Sequence, residues 1–408
     1  MTSWKTYRLG DLCDTISDTY KGCADEVVLI NTSDVLEGKC LNHTKEPNRN
    51  LKGQFKKTFK KYDILYSEIR PANKRFAYID FDATNYIAST KLMVLRHNEK
   101  IEPLYLYYIL QSQSIIDELQ MLAESRSGTF PQITFAELSR LEVKLPNREV
   151  QRQILGILGV IDDKIENNRR INTNLKLQAQ ALYKQRFVDF EFPNEEGKPY
   201  KSSGGKMVDC ELGPIPEGWS VIGYCDAVDI KGGGTPPTNN PEFWNGSIPF
   251  FTPKDVPSDC FAIHTEKSIT EAGLSNCNSK LYAKDTVFIT ARGTVGKVVM
   301  AGCSMAMNQT NYALIGKNEL SQYFVYLLTI ALVDRLLKKA NGAVFNAITT
   351  RDFEGEQIVH PTNFVLGKFI DIISPLYQQV LSIAKENETL ATLRDALLPK
   401  LMNGEIKV

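Results

Sequence analysis

The chain has 408 residues, of which 43% are hydrophobic and 24% charged, and its formal net charge is zero. That length supports two domains with cores of their own, and the neutral balance argues against a free-standing DNA binder, which normally carries excess basic charge to neutralise phosphates. No run of about 18 apolar residues occurs and the start, Met1-Thr2-Ser3-Trp4-Lys5, lacks a basic-then-apolar signal, so a cytoplasmic protein without membrane contact is expected.

In chain order, the first half opens with Trp4 and a short apolar segment, followed by strand-like runs at residues 64–69, 76–79 and 91–95 and a helical pattern over 103–122. Residues 45–75 hold ten Lys/Arg against three acids, with Phe55, Phe59 and Tyr62 among them. This basic-aromatic patch suits nucleic acid, and it equally suits a solvated lysine-rich loop. After Pro146 a long helix is predicted. The second half opens at Gly213-Pro214-Ile215-Pro216-Glu217-Gly218-Trp219, with strand-like runs at 286–291 and 297–300, a helix at 319–339 and a second long helix after Pro361. The eight cysteines form no CxxC pair and the four histidines are dispersed, so neither a metal site nor a disulfide framework is expected.

These halves are two copies of one pattern. Trp4 matches Trp219, residues 27–35 match 248–256, Asp63 to Arg70 match Asp285 to Arg292, and Pro146 matches Pro361. The spacing between copies is the same at the two ends and slightly wider between them, a drift that insertions in loops explain. Such a duplication must be read before any local motif, because it sets the architecture.

Along the first long helix Ile154, Leu158, Ile161, Ile165, Asn168, Asn172, Leu175, Ala179 and Leu182 step alternately by four and three. That is a heptad seam, and in the second copy it recurs at Phe369, Ile373, Leu376, Val380, Ile383, Asn387, Leu390, Arg394 and Leu397. Asn172 and Asn387 share one seam position, where a buried amide fixes helix-helix register at a cost in stability. A helix of about 40 residues spans roughly 60 Å, so it serves as a spacer as well as a core element. Pro375 removes a hydrogen bond within the second helix, which is expected to bend or break there. The resulting fold class is α+β: two similar mixed α/β domains separated by two long antiparallel helices in a pseudo-twofold arrangement.

With these residues the whole chain resembles the specificity (S) subunits of type I restriction-modification systems. Residues 212–219, the string Gly232-Gly233-Gly234-Thr235-Pro236-Pro237-Thr238, the following Asn240-Pro241-Glu242-Phe243-Trp244, and the passage from Gly128 through Pro146 to Gln151-Arg152-Gln153-Ile154 carry the likeness. The first half lacks the GGTPP string and aligns through Trp4, Asp34, residues 63–70 and 128–146. The resemblance implies target-recognition domains at 1–146 and 212–361, conserved helices at 147–188 and 362–408, and a linker at 189–211. It also implies that each recognition domain reads half of a bipartite double-stranded DNA target. The helices set the gap and dock two methyltransferase (M) subunits, which restriction (R) subunits join. The chain itself is expected to bind no cofactor; S-adenosylmethionine, ATP and Mg2+ belong to the other subunits.

Bases are read best by Arg or Lys at guanine and by Asn or Gln at adenine, while Lys, Ser and Thr hold phosphates. The DNA-binding candidates are therefore Arg70, Lys74, Arg75, Lys91, Arg126, Ser127 and Thr129 in the first half. In the second they are Lys254, Arg292, Thr294, Lys297, Asn308, Gln309, Asn311 and Asn346. Arg70 and Arg292 lead, since each ends a strand at the matched position ahead of a turn, although a strand-end Arg also suits a structural ion pair. No catalytic residue is expected. Asn240-Pro241-Glu242-Phe243 puts Glu where a methyltransferase motif needs Pro. Arg292-Gly293-Thr294-Val295-Gly296-Lys297 has two residues between its glycines where a phosphate loop has four. The rivals are a coiled-coil scaffold with protein-binding α/β domains, and a standalone nuclease or methyltransferase.

Overall fold

The computed structural model describes residues 4–49, 51, 53–126, 131–339 and 347–408. Two compact units result, Met1–Lys164 with Leu390–Val408, and Ile165–Thr389. Both dividing points fall inside the long helices, Arg148–Tyr183 and Asn363–Met402, so each helix contributes to both units.

In the first unit a four-stranded sheet runs in the order Cys13–Ile16, Leu92–His97, Ile64–Ser67, Phe76–Tyr78. A second sheet pairs Glu26–Ile30 in parallel with Tyr86–Ser89, which also takes Phe55–Thr58 antiparallel. The second unit repeats the plan. Val228–Gly232, Asn311–Gly316, Val287–Thr290 and Val298–Ala301 stand in the same order, with Phe261–Ala262 added, and Trp244–Phe251 pairs in parallel with Ala306–Met307. Even small connections recur: residues 32–34 and 253–255 each form one tight turn, closed by an acid (Asp34, Asp255) that accepts the preceding N–H of Asn31 or Thr252 at 2.8 Å.

The central strands are buried on both faces, which is why Ile64-Leu65-Tyr66 and Val287-Phe288-Ile289 read as continuous apolar runs. The pattern over 103–122 resolves into two helices, Pro103–Leu110 and Gln113–Arg126, because Ser112 turns its hydroxyl back onto the Ile109 carbonyl at 2.7 Å.

The long helices run antiparallel. In the second unit Asn168 donates to Asn387 at 2.9 Å, Asn172 donates to the Val380 carbonyl at 3.2 Å, and Tyr183 meets Phe369 at 6.3 Å between ring centres, so partner numbers fall as helix numbers rise. In the first unit Ile154 and Leu158 share a core with Leu401. Asn172 and Asn387 therefore do not meet each other: an antiparallel pair sets Asn168 opposite Asn387, and the Asn172 amide bridges to Asp259 at 2.7 Å. Nor does Pro375 break its helix, which is continuous from Asn363 to Met402. Proline forfeits a single N–H bond, and Ile373 and Tyr377 on either side are anchored in the core.

The segment 189–211 is packed against its surroundings. Phe192 stacks on Trp219 at 5.0 Å and on Tyr200 at 4.5 Å, and Met207–Cys210 forms a hairpin with Gly213–Pro216. Among the described residues no helix is long and apolar enough to cross a membrane.

Candidate nucleic-acid interface

At one end of each central sheet three loops are tied together by an equivalent set of backbone bonds. In the first unit Ser67 N–H donates to Arg75 O (2.8 Å), Glu68 N–H to Lys91 O (3.0 Å) and Ile133 N–H to Glu68 O (2.8 Å). In the second, Thr290 N–H donates to Lys297 O (3.0 Å), Ala291 N–H to Thr310 O (2.9 Å) and Ile348 N–H to Ala291 O (2.9 Å). Isolated bridges complete the frames, Ile69 with Gln132 and Arg292 with Ala347. The physical result is a rigid shelf from which loop side chains project, the kind of scaffold on which recognition residues are held.

These bonds correct the alignment of the two halves. Ser67 lies opposite Leu92 and Thr290 opposite Asn311, so Ser67 corresponds to Thr290, where the sequence match pairs it with Ile289. Arg292 is thus the counterpart of Ile69, and Arg70 that of Gly293. Both arginines are nevertheless exposed, each on the equivalent loop of its own unit, and neither has an ion-pair partner among the described residues. Arg70 sits in the left-handed region with φ 45, ahead of the turn Pro71–Asn73, whose Ala72 N–H donates to Gln120 Oε1 at 3.1 Å.

The other candidates divide by role. Lys91 is exposed and donates to Gln132 Oε1 at 3.2 Å; Lys74 is half-buried with φ 51. Thr294, Lys297 and Gln309 are exposed on the second shelf, where the Gln309 side-chain oxygen accepts the Thr235 hydroxyl. Lys254 is exposed on the turn Pro253–Asp255, 3.9 Å from Glu266 and shortly beyond Phe251, whose carbonyl takes the Asn308 N–H at 3.0 Å. Three further candidates are engaged by partners within the chain. Arg75 is half-buried and its Nη1 donates to the carbonyls of Ser33 (3.1 Å) and Val35 (3.4 Å), so it braces the shelf. Asn311 is 0% exposed and donates to Asn308 Oδ1 at 2.7 Å, which removes it from any surface and gives Asn308, also accepting from Thr310, a turn-closing role. Ser127, Thr129 and Asn346 lie outside the described residues, as does the side chain of Arg126.

The shelf also contains groups that residue type and spacing did not single out. Glu68 and Gln132 in the first unit, and Thr235 in the second, stand among the candidates; Lys57 donates to the Leu92 carbonyl at 2.8 Å beneath them. Burial pushes the Lys57 ammonium below the usual lysine range, an effect that Glu68 opposes and Lys91 reinforces. Glu68 and Gln132 lie inside the matched strings, so their places were visible but their roles were not. Among the described residues no group of three His, Cys, Asp or Glu is placed to hold a metal ion.

Comparison with known proteins bears on this arrangement. The family described as "Type I restriction modification DNA specificity domain" matches residues 1–177 and 216–391, one span for each copy of the repeat. The specificity subunit of the type I restriction enzyme HindI from Haemophilus influenzae is 34% identical over 459 aligned positions, covering all of both chains. That of MjaIX from Methanocaldococcus jannaschii is 29% identical over 74% of this chain and 69% of its own. The crystal structure of the type I restriction-modification S subunit from M. genitalium has the same fold, with a TM-score of 0.56 at 16% identity, over 98% of this chain and 96% of that one. A family match to both halves and a full-length relative at this identity agree with the duplicated fold: the chain belongs to the type I restriction-modification specificity subunits.

Proposed function

We propose that this specificity subunit reads a bipartite double-stranded DNA target, one half on each shelf, while its paired helices hold the halves apart. The observation that carries this reading is the repeated hydrogen-bond frame, one backbone scaffold built twice with different side chains on it. Two similar readers separated by a spacer address two half-sites with a gap between them. The helices dock two methyltransferase subunits, and restriction subunits join through these. The chain is non-catalytic and works in the cytoplasm; S-adenosylmethionine, ATP and Mg2+ serve the partner subunits. Exposed Arg70, Lys91, Arg292, Lys297 and Gln309 contact DNA, the lysines mainly at phosphates.

Mapping methylated adenines in genomic DNA, with and without this chain, tests the proposal. A two-part motif with an unspecified gap is expected, and it vanishes on deletion. Persistence of the motif, or an uninterrupted one, contradicts the reading.

A further inference from the structure

The two shelves share a backbone frame, so residues at equivalent places can be compared for what the fold requires. Glu68 and Ala291 occupy the same node, each donating its N–H to one neighbouring loop and accepting from another. The second unit builds that node with an alanine only 4% exposed. The fold therefore does not need a carboxylate there.

In the first unit the Glu68 side chain is 24% exposed, with Lys57 Nζ and Lys91 Nζ each 4.0 Å from one of its carboxylate oxygens. At that separation charge is offset without a direct hydrogen bond. Among the described residues neither oxygen accepts a hydrogen bond, although the backbone of Glu68 is pinned on both sides. The neighbours have small or uncharged counterparts as well: Lys91 matches Thr310 and Gln132 matches Ala347. An acid on a surface meant for phosphates is repelled by them, so its presence calls for a recognition partner. A carboxylate with free lone pairs accepts from an exocyclic amino group, which in the major groove is supplied by cytosine N4 and adenine N6.

We propose that Glu68 is a base-reading residue of the first half-target, accepting a hydrogen bond from the exocyclic amino group of a cytosine or adenine, with Lys57 and Lys91 offsetting its charge. The inference rests on the DNA-reading function proposed above. The pinned backbone fixes the reach of Glu68. In the second unit, with Ala291 at the node, the adjoining position is read by other groups.

The test is methylation mapping in cells carrying the complete system, with the parent chain, Glu68→Ala and Glu68→Gln. The parent establishes whether a chain-dependent two-part motif exists, so failure of the underlying reading is seen separately. With Glu68→Ala, one C or A position in one half of the motif should relax, with a loss of discrimination of roughly 5- to 150-fold, while the gap and the other half stay unchanged. Glu68→Gln, which keeps the shape and one acceptor oxygen, should relax the same position less. A motif unchanged in both variants, or methylation lost evenly at all sites in both, overturns the proposal and assigns Glu68 to the fold.

Discussion

Three equivalent positions in the two units are filled by opposite chemistry. In the first unit Tyr108 donates to Asp162, and Arg394 donates to the same carboxylate at 3.0 Å while also holding Asp395 at 2.9 Å. Tyr108 and Leu327 hold the same place in the helix that follows each sheet, counted from Pro103 and from Gln322. The seam match pairs Arg394 with Ala179 and, next to Ile161 and Leu376, Asp162 with Tyr377. In the second unit Leu327, Tyr377 and Ala179 belong to one apolar core. Volume is traded as well as charge, a large Arg with a small Asp against a small Ala with a large Tyr. The repeat thus constrains where side chains meet and leaves their polarity free, provided that every member of a node changes together. Each node also draws on both copies, since Arg394 belongs to the second repeat and completes the first unit, and Ala179 does the converse.

Breaking the apolar node should have the largest effect. Ala179→Arg forces an unpaired charge into a fully packed site, and a loss of about 4 kcal/mol or more is expected in denaturant unfolding. Arg394→Ala removes the cation from the polar node and should cost about 1–3 kcal/mol, less than the first because both partners are partly solvated. A double-mutant cycle with Asp162→Asn should show coupling of about 1 kcal/mol. Full additivity of the two changes would mean that the node is a coincidence of surface groups.

A smaller effect belongs to Asn172, whose amide joins Asp259 at 2.7 Å beside Lys176 at 2.8 Å. Asn172→Ala should cost about 1–2 kcal/mol. Burial tends to raise the Asp259 carboxyl, but Lys176, the Cys260 N–H and Asn172 outweigh it and hold it below the ordinary carboxylate range. A depressed native value contributes stability that is fully present above the unfolded carboxylate pKa, about 4, and is lost as pH falls through the lower native value. Asp259→Asn should accordingly flatten the acid limb of a stability-against-pH curve, leaving the neutral region's slope unaltered.

Much of this was legible in the sequence. The duplication, the seam with its asparagines, and the sheet strands follow from spacing and apolar runs, because burial acts on every turn of a helix and every face of a strand. Register was less legible. Short apolar runs such as Ile64-Leu65-Tyr66 and Val287-Phe288-Ile289 fit each other at neighbouring offsets, and only partner strands reveal that Ser67 corresponds to Thr290. Asn311 and Glu68 show the same limit for side chains. A polar residue in a loop string looks available whether it closes a turn in the core, as Asn311 does, or stands on the shelf, as Glu68 does.

The central claim is that one scaffold reads twice. Its most direct measurement is methylation mapping with Arg70→Ala and, separately, Arg292→Ala in the complete system. Each variant should relax or weaken recognition in a different half of the motif, at about 1–3 kcal/mol per lost base contact, with the gap unchanged. If both substitutions altered the same half, or neither altered any position, two readers on one repeated frame would be the wrong description of this molecule.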